Sequence, residues 1–204
     1  MSESAEPERW VVVVPVKPAL VGKSRLGVDV EVVRAISLDT IEAAARAARV
    51  EVVLVPTSDA GLGTVLHARE NVRVLAEDEP RGIGAAIRHA LADVGVASPR
   101  AVLLGDLPAL DPADLDAALA LAAGEARAFV ADEEGTGTSL VTAAPGVELV
   151  AEFGADSAAR HRELGLVELP IASGSTLRRD VDTPEQLAAA AALGLGPRTR
   201  ALLP

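Results

Sequence analysis

Two stretches of the chain place carboxylates where a cation would be welcome. Leu104-Gly105-Asp106-Leu107-Pro108 closes the apolar run AVLLGD (101–106), and a carboxylate at the end of a buried strand is desolvated unless donors or a cation neutralise it. A divalent metal meets that need, and Mg²⁺ typically takes one or two carboxylates together with phosphate oxygens. Further on, Leu177-Arg178-Arg179-Asp180-Val181-Asp182-Thr183-Pro184 delivers two acids and two arginines. Asp180 and Asp182 are two residues apart, so they share a face if the segment is extended. The plainer roles are that Asp106 closes the turn after it, and that Asp182 or Thr183 caps a helix beginning at Pro184. Together with Asp106, the segment suggests a site with two metal-binding carboxylates.

A basic loop offers the complementary charge. Lys17, Lys23 and Arg25 lie close together around Gly22, and a glycine-containing loop whose amides and cations face one point can cradle a triphosphate. The Walker A spacing is absent, and a solvated surface loop is the ordinary alternative. Two further loops could read an anion through hydroxyls and free amides: Asp132-Glu133-Glu134-Gly135-Thr136-Gly137-Thr138-Ser139, and Phe153-Gly154-Ala155-Asp156-Ser157, which leads into a helix through Arg160-His161. A tight turn with an ordinary cap is the competing account of each. His67, His89 and His161 show no metal-ligand spacing; His161 alone is placed to touch a ligand.

The elements that must position these residues follow from hydrophobic patterning. Apolar, β-branched runs at 10–16, 50–56, 71–75, 101–106, 126–132 and 139–144 alternate with helical spacing at 32–48, 84–94, 114–123 and 184–193. Near-continuous apolar strands separated by helices predict a mostly parallel α/β sheet flanked by helices. In such sheets ligands bind beyond the carboxyl ends of the strands, where the loops above begin. Asp111-Pro112 and Thr183-Pro184 mark two helix starts. The 204 residues suffice for one domain, read as 10–204 after a loose polar tail at 1–9.

Composition excludes several classes of function. One Trp, two Phe and no Tyr leave a core of Val, Leu, Ile and Ala and few platforms for stacking bases. A formal charge of −11 repels nucleic acid at long range. The absence of cysteine removes disulfides, thiolate catalysis and cysteine metal sites. No apolar run reaches membrane-spanning length and the polar start does not read as a signal peptide, so a cytoplasmic location is expected.

The ordered series PVKPALVGKSRL (15–26), EPRGIGAAI (79–87), LLGDLPAL (103–110), GTGTSL (135–140), FGADSAARH (153–161) and RRDVDTPEQL (178–187) resembles the phosphoenolpyruvate or 2-phospho-L-lactate guanylyltransferases of deazaflavin coenzyme F-420 biosynthesis. The resemblance spans residues 10 to 190. It implies a single-domain, Rossmann-like nucleotidyltransferase of the GT-A type that joins GTP to a small phosphorylated three-carbon acid, releases pyrophosphate and hands its product to a downstream transferase. By the same resemblance Asp106 and Asp182 hold Mg²⁺, with Asp180 a third carboxylate. Lys17, Lys23 and Arg25 face the triphosphate, with Lys23 counted among the catalytic groups, and Arg81-Gly82 lies near the nucleoside. Ser139, Gly154 and Ser157 contact the acid.

Two positions depart from the pattern: Ser139 replaces the usual Thr, and Gly84 replaces the usual Asn near the nucleotide. The implied chemistry needs no protein nucleophile, because the acceptor's own phosphate is an anion that can attack the α-phosphorus; the protein supplies position and charge neutralisation. The closer likeness to actinobacterial members favours phosphoenolpyruvate as the acid. The alternatives are a 2-phospho-L-lactate enzyme, a molybdenum-cofactor or sugar-phosphate nucleotidyltransferase, and a non-catalytic nucleotide-binding carrier.

Overall fold

The computed structural model describes residues 8–17, 26–66, 69–79, 81–92 and 94–203. In chain order the elements are β1 (Trp10–Val13), α1 (Val30–Arg46), β2 (Val50–Thr57), α2 (Ala60–Leu66), β3 (Val72–Ala76), α3 (Ile83–Leu91), β4 (Arg100–Leu103), α4 (Pro112–Ala122), β5 (Arg127–Ala131), β6 (Thr138–Ala143), α5 (Ser157–Glu163), β7 (Val167–Glu168), a 3₁₀ turn (Thr176–Arg178), α6 (Pro184–Leu193) and α7 (Pro197–Leu202). The strands form one seven-stranded sheet in the order β3-β2-β1-β4-β6-β5-β7. β3, β2, β1 and β4 run parallel, β6 is antiparallel to both of its neighbours, and β7 pairs parallel with β5. The chain winds outward from β1 to β3 and returns to place β4 on the other side of β1. The gap between the ends of β1 and β4 is therefore a switch point, where loops diverge and leave room for a ligand.

Alternation along each strand feeds two cores. Trp10, Val12 and Val14 pack with Leu38 and Ile41 of α1 and Leu115 and Leu119 of α4, whereas Val11, Val13, Leu54 and Val102 pack beneath Ile87 and Ala90 of α3. Phe129, Ala131 and Val141 are covered by Ala158 of α5. Burial on both faces explains why β1 reads as an unbroken run of valines. A second face of α1, through Val32, Val33 and Ile36, takes Val181, Leu187, Ala190 and Leu195.

Several boundaries differ from the sequence reading for local reasons. The first strand is assigned to 10–13, yet Val14 and Val16 still donate to Leu54 O and Pro56 O of β2. Pro15 lacks the N–H that would face the other side, where pairing with β4 ends at Val13 and Val102. The fourth strand stops at Leu103 rather than at 106. Leu104 donates to Ser139 O and the chain turns at Gly105, where a Cβ would meet Val16 Cγ2 at 3.3 Å and Val14 Cγ1 at 3.4 Å. Segments 14–17 and 104–106 thus run side by side. α2, α7 and β7 were not expected: Gly61 and Gly63 weaken the helical signal of α2, and β7 is only two residues long.

Candidate active site

The carboxylates meet at the carboxyl ends of β4 and β5. Asp106 lies on the turn after β4, and its carbonyl accepts the Val181 N–H at 3.0 Å. That bond lays the Asp180–Asp182 segment beside the Asp106 turn. Thr183, not Asp182, caps α6: its hydroxyl accepts from Gln186 N at 3.3 Å and Gln186 Oε1 accepts from Thr183 N at 3.1 Å. Gln186 Oε1 also accepts from Asp182 N at 2.8 Å, and the Gln186 amide nitrogen donates to Glu134 at 2.9 Å. One capping side chain therefore ties the start of α6 to the loop after β5.

Asp132 and Glu134 of that loop join the site, although the sequence reading gave the loop a different part. One oxygen each of Asp132, Glu134 and Asp180 lies within 4.8 Å of the others. Asp132 is fixed by its own turn, with Oδ1 accepting from Thr136 N at 3.0 Å and Oδ2 from Gly137 N at 2.7 Å. The amides expected to read an external anion are thus spent on an internal carboxylate. The turn is that tight only because residue 137 is glycine: a Cβ there would stand 2.2 Å from Asp132 Oδ2. The signal for Asp132 was the one that marked Asp106, an acid directly after a buried apolar strand.

Arg178 and Arg179 bind this architecture together. Arg178 donates to Asp132 O at 2.8 Å and to Ile171 O at 3.1 Å, and Arg179 pairs with Glu133 at 3.2 Å. Among the described residues the guanidiniums lock the loop after β5 onto the 171–179 segment through Glu133 and two backbone carbonyls, not through the carboxylates of Asp132, Glu134 or Asp180. Burial, reinforced by the neighbouring charges of Asp106, Asp132, Asp182 and Glu134, pushes the Asp180 carboxyl up to about 8. Asp180 Oδ1 is buried and has no hydrogen-bond partner among the described residues. An orphaned hard oxygen among like charges fits a divalent cation, which would supply the missing partner and restore the ionised form. This acidic triad could hold a metal ion.

The other expected site residues are placed as follows. Lys17 is exposed directly after Val16 at the end of the β1 segment; Lys23 and Arg25 fall outside the described residues. Arg81 and Gly82 are exposed at the start of α3, where Gly82 has φ +87° and caps the helix. Gly84 lies in the first turn of α3. Ser139 is fully buried in β6, its hydroxyl 3.5 Å from Val130 O. Ser157 is buried at the start of α5 and donates its N–H to Gly154 O at 3.2 Å. The two loops meet, because Ala158 N donates to Thr136 O at 3.1 Å.

His161 is the hinge of that meeting rather than a solvent-facing group. It is fully buried between Phe129 and Phe153. Nε2 accepts the Glu152 N–H at 3.0 Å, so Nδ1 carries the proton and donates to Thr138 Oγ1 at 2.9 Å. Burial, aided by the Arg160 charge, lowers its pKa to about 4, and the ring is neutral in use. Both nitrogens are consumed in holding the loop before α5 against β6. His67 falls outside the described residues, His89 is exposed on α3, and no described helix is long and apolar enough to cross a membrane.

Comparison with known proteins agrees with this architecture. Residues 23–166 match the MobA-like NTP transferase domain. The chain is 44% identical over 201 residues to the phosphoenolpyruvate guanylyltransferase of Thermomonospora curvata, covering 95% of this chain and 88% of that protein. It is 45% identical over 203 residues to the corresponding protein of Streptomyces coelicolor, covering 95% of each. Among solved structures, a Mycobacterium tuberculosis protein in complex with manganese superposes with a TM-score of 0.60 at 19% identity, over 90% of this chain and 97% of that one. A nucleotidyl transferase from Methanothermobacter gives 0.58 at 17% identity, over 93% and 98%. At such identities these two structures bear on the fold alone, which is the Rossmann-like nucleotidyltransferase fold. Sequence and architecture together place the chain in the phosphoenolpyruvate guanylyltransferase family, on a MobA-like NTP transferase domain.

Proposed function

We propose that the protein joins GTP to phosphoenolpyruvate, forming enolpyruvyl-diphospho-guanosine and releasing pyrophosphate. The observation that carries this reading is the acidic cluster at the carboxyl ends of β4 and β5 of a nucleotidyltransferase sheet, in a chain more than 40% identical to curated guanylyltransferases. In the reaction a phosphate oxygen of the acid attacks the α-phosphorus of GTP, that P–O bond forms, and the bond to the β,γ-pyrophosphate breaks. No proton transfer is required. Both reactants are anions and the leaving group gains charge, so the barrier is one of repulsion and orientation.

Asp106, Asp180 and Asp182, with Asp132 and Glu134 beside them, would hold Mg²⁺. Bound there, the metal supplies charge to draw the two phosphates together and to stabilise the departing pyrophosphate. Lys17, Lys23 and Arg25 face the triphosphate, and the Arg81-Gly82 turn borders the nucleoside. Ser139 at the start of β6, Gly154 just before α5 and Ser157 at its start border the acid, in segments that His161 and the Thr136–Ala158 bond hold together. This reading assigns the protein to the cytoplasm and to deazaflavin coenzyme F-420 biosynthesis, with a downstream transferase taking the product.

The test is mass spectrometry of the products after incubation with GTP, Mg²⁺ and, in turn, phosphoenolpyruvate, 2-phospho-L-lactate and 3-phosphoglycerate, coupled to the downstream transferase to trap a labile product. Pyrophosphate and a guanylylated enolpyruvate are expected from the first acid. Faster turnover of either other acid overturns the choice of substrate, and no guanylylated product from any of them overturns the activity.

A further inference from the structure

The buried face of α1 carries a polar pair in an otherwise aliphatic setting. Asp39 and Thr40 are both buried. Asp39 faces the C-terminal segment, where Oδ1 accepts from Arg198 N at 3.2 Å and Oδ2 from Thr199 N at 2.7 Å. Thr40 faces the loop after β4. Its hydroxyl donates to Ile36 O at 2.9 Å, one turn back along the helix, and accepts the Leu107 N–H at 3.0 Å. A threonine in a helix interior is a poorer helix former than alanine and buries a hydroxyl that valine would not. Here the backward bond satisfies the hydroxyl proton and leaves a lone pair for a partner outside the helix.

That partner belongs to the peptide unit joining Asp106 to Leu107. The carbonyl of the same unit is Asp106 O, which accepts the Val181 N–H at 3.0 Å. The peptide plane is thus gripped at both ends, by α1 through Thr40 and by the Asp180–Asp182 segment through Val181. One residue later, Pro108 O accepts the Gly196 N–H at 2.7 Å, so the C-terminal segment anchored by Asp39 braces the loop again. The sheet ladder has already ended at Leu104, whose N–H goes to Ser139 O. Past that point these loop bonds hold the peptide from which Asp106 leaves the backbone.

We infer that Thr40 is a positioning residue for Asp106, fixing through the Leu107 amide the peptide plane from which that carboxylate approaches the metal. The inference rests on the reading of Asp106 as a metal ligand. Outer-shell partners of this kind change metal affinity without touching the ion.

The test is Mn²⁺ binding to the full-length, nucleotide-free protein, read from the electron paramagnetic resonance signal of the free ion. Thr40→Val keeps the shape and removes the hydroxyl, and is expected to weaken Mn²⁺ binding by roughly 10- to 100-fold. Thr40→Ser keeps the hydroxyl and is expected to bind as the parent does. Thr40→Ala compared with Thr40→Ser asks the same question of two smaller residues, which decides the matter if the valine variant does not fold. Ile87→Ala, a buried truncation in α3 whose core cluster does not include Leu107, lowers stability and is expected to keep parental affinity. Asp106→Asn separates the two readings. Parental Mn²⁺ binding by Asp106→Asn removes Asp106 from the metal site, and the inference with it. Loss of Mn²⁺ in Asp106→Asn, with Thr40→Ala equal to Thr40→Ser and any folded Thr40→Val equal to the parent, overturns the role of Thr40 and leaves Asp106 a ligand.

Discussion

Asp180 makes the acidic cluster sensitive to pH in a way that can be worked through. Burial, then the charges of Asp106, Asp132, Asp182 and Glu134, raises its carboxyl to about 8, against an unfolded value of about 3.9. The metal-free protein therefore keeps a proton on Asp180 at neutral pH, and a cation must displace it. With one such proton, apparent Mn²⁺ affinity rises with pH and levels above about 8, by on the order of 50- to 100-fold between about pH 6 and about pH 8.5. The same shift has a consequence for folding without metal. Because the folded pKa is raised, its contribution to stability is complete below about 4, declines as pH rises, and is lost above about 8, costing roughly 2 to 3 kcal/mol between about pH 6 and about pH 8.5. Asp180→Asn removes the proton and should flatten both profiles. The assays are Mn²⁺ titration followed by electron paramagnetic resonance, and urea unfolding in chelator, each at several pH values. A parental affinity that is level across this range, or an Asp180→Asn variant with the parental slope, would refute the reasoning.

Asp106→Asn and Asp182→Asn should each lower turnover by about 100-fold or more, equivalent to about 3 kcal/mol of transition-state stabilisation, while circular dichroism keeps the parental signature. Near-parental turnover at saturating metal removes the residue concerned from the site. Gly137→Ala puts a Cβ 2.2 Å from Asp132 Oδ2, so the turn must open; a stability loss of roughly 1 to 3 kcal/mol together with weaker Mn²⁺ binding is expected, against Gly124→Ala as a control whose Cβ finds 3.6 Å of room. His161→Phe strands the Glu152 N–H and the Thr138 hydroxyl and should cost roughly 2 to 4 kcal/mol in denaturant unfolding. Because the folded pKa of His161 is depressed to about 4, its contribution is full above about 6.5 and lost as pH falls through about 4. The phenylalanine variant should lack that acid-side decline, and a decline of parental size would count against the assignment.

What was legible in the sequence was whatever local chemistry determines. The valine run of β1, the Asp111-Pro112 and Thr183-Pro184 helix starts, and the acid placed just after a buried strand at Asp106 all carry their meaning within a few residues. The sequence reading predicts a mostly parallel sheet and no antiparallel strand; the direction of β6 follows from the six residues between Ala131 and Thr138, since a parallel return needs a crossover of about a dozen. Asp132 follows the same rule as Asp106, but the glycines and threonines beside it also fit a loop that binds an external anion. Gly196-Pro197 marks the start of α7 by the same local chemistry, a Pro at the first helical position. Thr40 could not have been found. Its role exists only because residues 40 and 107, far apart in the chain, meet in the fold, and nothing in the ISLDTIE sequence distinguishes that hydroxyl from a helix-surface one.

The placement of the arginines decides what kind of site the acidic cluster is. Asp180 faces four other carboxylates, and Arg178 and Arg179 arrive in the adjoining residues of the same segment. Had these guanidiniums paired with Asp180 or Asp132, the cluster would be an internal salt-bridge network with little left to offer a metal. Instead they reach Glu133 and the carbonyls of Asp132 and Ile171, while Asp132 is held by two backbone amides and Glu134 by the Gln186 amide. Neutral donors fix the direction of a carboxylate without cancelling its charge. The mutual repulsion of these carboxylates is a cost to the folded chain, visible in the raised pKa of Asp180, and a bound cation would relieve it. For a chain of net charge −11, and under the proposed reaction of two anionic substrates, the same property would let a bound metal turn a repulsive cleft into an attractive one.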